Sequence, residues 1–494
     1  MLYKNGNTGT VLNNIKLLII FLLLTVGCLN DTDSKNTPEA EIITHVSTTT
    51  DVRNVDRVEP VTLIPEPTLE MITSQPQSDT ERTSSGASTA SDVIEVKTTV
   101  PLENASGSKE SNTKPEYVAT NKSENRFHDF FGCYGTGPVE FEHSPMNYDD
   151  FISIRPYGHL SGAHVTPIDH MYFNPMDRSL GRNAYEVRAI ADGVIYYISP
   201  RDTSVDSGKS KEREWRIDIA HTCTFHSYFD LLTDLDSKIV EEWELSRGEV
   251  NLGWNGISVK SGQVIGRIGA QTLDFGVYDY DTVLSGFVVP EHYNYERWKL
   301  HTVDPFPFFK EDIRKVLLSK NLRKVEPYAG KIDHDIDGTL SGNWFELGTN
   351  FLAGLTRDKY WAGHVSVVPN HIDPSAWMVA MGSWPEADTS SGADHFIIVN
   401  PEILPDEVTK EHGIVKYTLS EYTYCSVYDQ SDCTKAISSI VPDKPLIATH
   451  TRSGEVGIVL MELIENRKLR LEVFLESEQD DIQGFTSAAK EYER

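Results

Sequence analysis

The sequence predicts an all-β protein in which two antiparallel β domains follow a long N-terminal extension. Residues 215–219 alternate apolar and polar side chains, which is the pattern of a strand with one buried face. Residues 326–476 contain short apolar runs separated by Gly, Pro, Asn and Asp, as in an antiparallel sandwich or barrel. A short amphipathic stretch at 311–322 marks the end of the first domain. A chain of 494 residues has room for two folded domains beside its extension.

The first segment, residues 1–28, is predicted to be an export signal. Its apolar run at 17–26 is too short to span a bilayer comfortably and ends in small residues. Gly27 and Cys28 resemble the end of a bacterial or archaeal lipobox, although Thr25 stands where that motif usually has leucine. We expect Cys28 to carry lipid. Plain cleavage and an uncleaved anchor are the alternatives.

Residues 29–125 are predicted to form a disordered spacer. No aromatic residue occurs between Asp31 and Tyr117, and Ser, Thr, Pro and Glu predominate. Such a segment buries too little apolar surface to offset its loss of conformational entropy. Behind a lipidated cysteine it would hold the folded part away from the membrane. The organisation therefore predicts a membrane-anchored lipoprotein at the cell surface or in the periplasm.

The formal net charge of the chain is −29. A field of this sign repels polyanions, so the charge argues against nucleic acid and anionic membrane surfaces as partners. Cationic or neutral ligands remain compatible with it. The simplest interpretation of the charge is that it keeps the protein in solution.

The first folded domain, residues 126–325, carries strand patterns. Residues 187–198 are interrupted by Asp192 and Gly193, a pair that favours a tight turn, so a hairpin is predicted there. The strand at 215–219 leads directly to His221. Further strands are predicted at 228–232 and 273–278, together with a glycine-punctuated strand pair at 259–269.

Taken in order, these segments resemble the lysostaphin-type zinc endopeptidases, whose duplicated hybrid motif fold is a compact antiparallel β-sandwich. The resemblance runs through one stretch of the first domain, and no single motif in it is specific alone. Its counterparts to the family motifs are His164 and Asp169, residues 187–194, residues 219–221, residues 228–231, residues 259–266 and residues 272–277.

The resemblance implies a metal site. The family holds zinc with a histidine and an aspartate of the first motif and a histidine of the last, which fall on His164, Asp169 and Asp274. Two further family histidines, which orient water or stabilise the transition state, fall on Asp230 and Thr272. One imidazole with two carboxylates would bind zinc weakly and would tolerate calcium, magnesium or manganese.

These replacements predict impaired hydrolysis. An imidazole that titrates near neutral pH usually transfers the proton, threonine cannot do so, and Asp230 could act as a base only if its pKa were raised. The first motif also has an extra residue before Asp169, which demands a turn or bulge. His170 and His221 are further candidates for metal ligands in the groove where the active site would lie. The alternative is a hydrogen-bonded pocket without metal.

Four cysteines besides Cys28 permit three disulfide pairings. Cys425 and Cys433 are close in a loop-like stretch and are expected to pair, which leaves Cys133 for Cys223. A metal site of Cys223 with neighbouring histidines is the alternative, but its spacing matches no strong zinc pattern.

The second folded domain, residues 326–476, is followed by a predicted C-terminal tail at 477–494. Residues 342–344, Gly-Asn-Trp, resemble the Gly-x-Trp of lipocalins, a weak motif on its own. Its tryptophans are expected in the core rather than on a sugar-stacking surface. Strands are predicted at 361–368, 377–381, 395–399, 414–419, 455–463 and 469–475.

Three functions are compatible with these patterns. The preferred one is a non-catalytic relative of the peptidases that binds a glycan, a peptide or a partner protein in the groove. The alternative is a metal-dependent endopeptidase acting on cell-wall or surface peptides, with zinc or another divalent metal. A structural surface module is the third, since nothing in the second domain names a ligand.

Overall fold

The computed structural model describes residues 134–202, 213–246, 248, 251–253, 256–385, 391–477 and 481–494. The predicted export signal, the lipidation site at Cys28, the spacer and Cys133 lie outside these residues. Within them, no helix combines the length and hydropathy needed to cross a membrane.

The first domain is built on an antiparallel sheet of seven strands in the order β1-β2-β10-β6-β5-β4-β8. A second sheet has three strands in the order β3-β9-β7. Two α-helices, α1 (Ser237–Leu245) and α2 (Glu311–Lys320), and a kinked 3-10 segment, Pro290–His301, complete the domain. The strands are β1 (Phe151–Arg155), β2 (Met171–Pro175), β3 (Tyr185–Arg188), β4 (Gly193–Asp202), β5 (Arg213–Ala220), β6 (Phe225–Leu232), β7 (Asp234–Leu235), β8 (Ile257–Val259), β9 (Val264–Ile268) and β10 (Leu273–Asp279).

Side-chain alternation gives the seven-stranded sheet two unlike faces. In β10, Leu273, Phe275 and Val277 belong to the apolar core, while Asp274 and Tyr278 lie on the opposite face. The same alternation runs through β5 and β6. The strands predicted at 215–219, 228–232 and 273–278 are confirmed, and β5 pairs with β6.

The predicted hairpin at Asp192-Gly193 is wrong. β3 pairs with β9 in the small sheet, whereas β4 pairs with β5 and β8 in the large one. Gly193 is needed for close approach rather than for a turn, because a Cβ there would stand 2.6 Å from Ile219 Cγ2. The predicted strand pair at 259–269 is wrong for the same reason, since its two strands, β8 and β9, join different sheets.

The second domain is an eight-stranded antiparallel barrel. Strands follow one another around it in chain order, and pairing of β19 with β11 and of β14 with β15 leaves no open edge. The predicted choice between sandwich and barrel is settled by that closure. The strands are β11 (Gly342–Glu346), β12 (His364–Pro369), β13 (Trp377–Met381), β14 (Asp394–Ile398), β15 (Val415–Ser426), β17 (Leu446–Glu465), β18 (Lys468–Leu475) and β19 (Lys490–Glu493), with a short β16 (Cys433–Thr434) outside the ring.

The barrel extends beyond the boundary predicted at residue 476. β19 lies in the predicted C-terminal tail, and Arg494 beyond it places its guanidinium 4.1 Å from the ring centre of Trp344. Trp344, Trp377 and Trp384 are buried in the core of the barrel, as predicted, whereas Trp361 is half-buried and packs outside it.

Cys425 and Cys433 form the predicted disulfide, and they face each other in register between β15 and β16. Cys223 is also disulfide-bonded, which excludes it as a metal-ligating thiolate. Its predicted partner, Cys133, lies outside the described residues, so that pairing stays a prediction.

The two domains meet through two shared apolar clusters. Phe345 and Leu352 of the barrel belong to the core of the first domain, and a second cluster lies at the loop between β1 and β2. Leu160 and Val165, from the loop between β1 and β2, pack with Met378 and Ile397 of the barrel wall. The loop that carries His164 therefore rests on the outside of the barrel.

Candidate functional site

The sheet register brings the predicted site residues onto one face. Asp274 on β10 pairs with Tyr172 on β2 and, on its other side, with Asp230 on β6. Directly opposed residues in an antiparallel sheet have neighbouring side chains, so the two carboxylates are adjacent. Thr272, half-buried just before β10, has the same parity as Asp274. We call this surface of the sheet the polar face.

His170 lies between two carboxylates of the polar face. Its Nδ1 is 3.3 Å from Asp169 Oδ1, and its Nε2 is 3.3 Å from Asp274 Oδ2. The same Nε2 is 3.1 Å from the hydroxyl of Tyr172. Burial disfavours a charged ring, but Asp274 and Asp169 outweigh it and raise the pKa of His170 to about 9. His170 is therefore an imidazolium at neutral pH.

Asp169 is held by groups that the sequence analysis did not single out. Trp298 Nε1 donates a hydrogen bond of 2.8 Å to its Oδ2, and the Tyr278 hydroxyl donates one of 3.2 Å. Lys299 Nζ stands 3.8 Å from Oδ1. Burial opposes ionisation, but Lys299 and His170 prevail and lower the pKa of Asp169, which stays a carboxylate.

Asp230 is clamped by two arginines. Arg201 forms an ion pair with its Oδ2, Arg216 Nη1 is 3.9 Å from the same atom, and the Leu231 N–H donates to Oδ1 at 2.7 Å. Burial raises the pKa of Asp230, and the two arginines act against that rise. The pKa of Asp230 is thus raised, as a general base would require. Both of its carboxylate oxygens, however, already have partners.

An aromatic stack covers the part of the polar face next to Asp230. The guanidinium of Arg216 lies 4.1 Å above the ring of Tyr228, which stacks on Tyr278 at 5.3 Å. Gly276 makes room for this stack, because a Cβ there would be 2.2 Å from Tyr228 Cε1. Arg216 is fixed in turn by Asp218, whose Oδ1 accepts from Nε at 2.7 Å.

His164 stands at the rim of this cluster. It is exposed, in a tight turn in which its N–H donates to the Ser161 carbonyl, and its ring centre is 6.2 Å from that of His170. The turn provides the irregularity that the extra residue before Asp169 demanded. Of the predicted ligands, Asp169 and Asp274 are joined through His170. The ring of His164 faces the ring of His170 edge-on.

His221 lies apart from the polar face. Its Nδ1 is 2.8 Å from the Asp192 carbonyl and its Nε2 is 2.8 Å from Ser227 Oγ. Its ring also contacts Phe141 and Phe225 of the apolar core. Burial lowers the pKa of His221 to about 4, so it is a neutral structural side chain.

The residues as they lie do not fit the zinc site that the resemblance implies. His170 occupies one oxygen of Asp169 and one oxygen of Asp274, and its positive charge opposes a metal cation between them. Among the described residues, no group of three or more His, Cys, Asp or Glu side chains has an arrangement that could hold a metal ion. The side chains of the cluster form ion pairs and hydrogen bonds with one another, and their opposite charges compensate.

Sequence reasoning missed most of the cations of this cluster. Arg216 and Asp218 could have been found, because residues two apart on a strand share a face and can pair there. Arg201 and Lys299 carried no such signal, since the first lies at the far end of β4 and the second on a distant 3-10 segment.

Comparison with known proteins identifies no family for this chain. No family model matches it, and no curated protein matches it. Among solved structures, an NMR solution structure of lysostaphin is similar over 56% of this chain and 87% of that chain, with a TM-score of 0.21 and 13% identity. A likeness at that TM-score carries no argument, so the all-β fold rests on the sheets themselves and the lysostaphin-like fold stays a prediction.

Proposed function

We propose that this is an exported, lipid-anchored surface or envelope protein whose first domain binds a glycan, peptide or partner protein without cleaving it. The observation that supports the absence of catalysis is His170, held between Asp169 and Asp274 at 3.3 Å from each. A charged imidazole in that place occupies one oxygen of each carboxylate and repels a metal cation, and it has no free lone pair with which to accept a proton.

The neighbouring groups support the same proposal. Asp230 replaces a catalytic histidine of the family that the sequence resembles, and its oxygens are taken by Arg201 and a backbone N–H. Thr272 replaces the other one and has no group that titrates near neutral pH. General acid–base help typically contributes about 10²- to 10⁴-fold to rate, so cleavage without it is expected to be very slow.

The alternative, a metal-dependent endopeptidase, is favoured by one atom. Asp274 Oδ1 is buried and has no hydrogen-bond partner among the described groups. A metal cation could supply that partner. For a metal to use Asp169 as well, His170 would have to leave the cluster. This alternative therefore predicts metal binding coupled to a movement of His170.

The two functions differ in a cleavage experiment. The purified protein is incubated with a library of cell-wall and surface peptides, with zinc, calcium or manganese added in turn, and products are followed by mass spectrometry. We expect no cleavage. Chelator-sensitive cleavage that is lost in His164→Ala and retained in the exposed control His450→Ala would establish the endopeptidase instead.

Binding is tested with the same protein on glycan and peptide arrays. A bound ligand is expected to lose affinity at least tenfold in Tyr172→Ala, which removes a largely buried ring of the polar face beside His170, and to be unaffected by Tyr428→Ala on an exposed loop of the barrel. Equal binding by both variants would place the ligand elsewhere.

A further inference from the structure

Two histidines, one from each domain, meet at the domain interface. The ring centres of His159, in the loop between β1 and β2, and His371, after β12, are 4.5 Å apart with the rings tilted by 57°. Both residues are buried, with 7% and 5% of their surface exposed. Two imidazoles at this distance cannot both be charged without strong repulsion.

The described surroundings of the pair disfavour a positive charge. His159 Nδ1 and His371 Nε2 are buried without a hydrogen-bond partner among the described groups. The charges that act most strongly on either ring are all basic. They are Arg155 on β1, Arg323 after α2, His164 in the same loop and His395 on β14, while the rings that contact the pair belong to Tyr172 on β2 and Tyr424 on β15.

The contact is tight on both sides of the pair. A Cβ on Gly158 would be 2.4 Å from the Lys331 carbonyl oxygen and 3.6 Å from His371 Cβ, so the loop backbone lies directly on this histidine. Leu160 continues the same contact in the apolar cluster shared with the barrel wall. Both rings are therefore shielded from bulk solvent, in agreement with their low exposure.

The barrel also reaches the polar face of the first domain. The Tyr360 ring lies 5.6 Å from that of Tyr295, on the 3-10 segment that carries Trp298 and Lys299. Burial raises the pKa of Tyr360, and the nearby charges of Glu296 and Asp169 raise it further. The barrel thus lies over one side of the polar face.

We propose that the His159–His371 pair is a pH-sensitive latch, which strengthens the docking of the barrel on the first domain while both rings are neutral and weakens it on acidification. Release would uncover the polar face for a ligand, and only that consequence rests on the proposed function. The latch itself needs no ligand.

The pH dependence of docking follows from the difference in histidine pKa between the docked and the separated states. Burial lowers the pKa of both histidines well below the ordinary value, and the neighbouring basic groups lower it further. In the separated state each ring regains a pKa of about 6.5. Docking is therefore at full strength above about pH 6.5 and weakens below it, by up to about tenfold per pH unit for each histidine and about 100-fold for both.

The test measures the distance between the domains in the full chain. Spin labels are placed at Leu180→Cys in the first domain and Ile414→Cys in the barrel, two exposed positions, in a Cys28→Ser background under non-reducing conditions. Pulsed electron spin resonance at pH 8, 6.5 and 5 is expected to show one narrow distance distribution that gives way to a broad one at pH 5. The change should reverse on return to pH 8, with far-ultraviolet circular dichroism unchanged.

Variants assign the effect to the pair. His159→Gln with His371→Gln replaces both rings by amides that do not titrate, and the narrow distribution is then expected at all three pH values. The exposed control His450→Gln should respond as the unmodified protein does. A distance in the unmodified chain that does not change between pH 8 and pH 5 would overturn the latch, as would a full response in the double variant. If the double variant does not fold, the first of these criteria still decides.

Discussion

Asp274 on β10 and Asp230 on β6 face each other in register, yet each is neutralised by a different cation. Asp274 is paired with His170, whereas Asp230 is paired with Arg201. Two adjacent buried carboxylates would otherwise repel each other. The polar face is thus a balanced charge network, and its balance can be tested by removing one member at a time.

The charge of His170 predicts that the protein loses stability as the pH becomes alkaline. Because Asp274 and Asp169 raise the pKa of His170 to about 9 in the folded state, its contribution is fully present below the ordinary pKa of about 6.5 and is lost as pH rises through 9. The free energy of unfolding of the first domain should fall by about 3 kcal/mol across that window. Urea titrations at pH 6, 7.5 and 9 measure it.

His170→Gln should remove this pH dependence and should also cost about 3–5 kcal/mol at pH 6, because it leaves a buried carboxylate without its partner. The exposed His450→Gln is the matched control and should behave as the unmodified chain. A flat stability profile of the unmodified protein between pH 6 and 9 would show that His170 is neutral when folded.

Gly276→Ala tests the aromatic stack. The added Cβ would be 2.2 Å from Tyr228 Cε1, and that ring is held between Arg216 and Tyr278. Overpacking of this kind costs about 1–3 kcal/mol. In Gly276→Ala with Tyr228→Leu, the cost should be less than the sum of the two single changes. Gly484→Ala, where a Cβ would meet nothing within 4 Å, should leave stability nearly unchanged.

The strands were predictable where alternation was regular. The strand Trp377–Met381 has the bounds that were predicted for it. The strand Leu273–Asp279 is one residue longer than the predicted strand at 273–278. β19 was missed because Lys490–Glu493 has a single apolar side chain, Tyr492, and three charged ones. The hairpin at Asp192 failed because an Asp-Gly pair also serves a crossing between sheets, where the glycine permits close approach.

The site was predictable in position but not in chemistry. Strand alternation accounts for Asp230 and Asp274 sharing one face, whereas Asp169, in the loop before β2, reaches Asp274 through His170. Their cations come from separate elements, among them Lys299 on a 3-10 segment after the last strand of the sheet. Such partners depend on tertiary packing, and one sequence contains no pattern that pairs Lys299 with Asp169.

Arg494 is predicted to hold the barrel closed. It donates to the carbonyls of Ser341, Ile336 and Thr339, and it opposes the burial that raises the pKa of Asp335 to about 6. Arg494→Ala would leave these groups without a partner and should destabilise the barrel by about 3–5 kcal/mol in urea. Arg494→Lys keeps the charge but not the fork of donors, so an intermediate loss is expected. Equal stability of all three proteins would show that the cation is dispensable.

The export prediction concerns residues outside the described part of the chain. Because Gly27 and Cys28 end a short apolar run, Cys28 is expected to carry lipid and Cys28→Ser to move the protein from the membrane to the soluble fraction. Limited proteolysis should cut first within residues 31–117 and leave a stable fragment that begins near Phe127. A mature N-terminus other than Cys28 in mass spectrometry would reject lipidation, and a resistant segment within 31–117 would reject the spacer.

Restoring the family's histidines is expected to fail. In Asp230→His, Thr272→His and Asp274→His together, the three imidazoles of the resemblance return, but Arg201 and Arg216 still face position 230 and the Tyr228 stack still fills the space beside it. Like charge from the arginines would oppose a protonated imidazole there, and His170 would lose a carboxylate partner. Zinc binding by elemental analysis and peptide cleavage should both remain at background. If the additional changes Arg201→Ala and Tyr228→Thr produce zinc binding with cleavage, the arginines and the aromatic stack are what block the site; if the triple variant alone does so, the non-catalytic proposal depends only on the missing histidines.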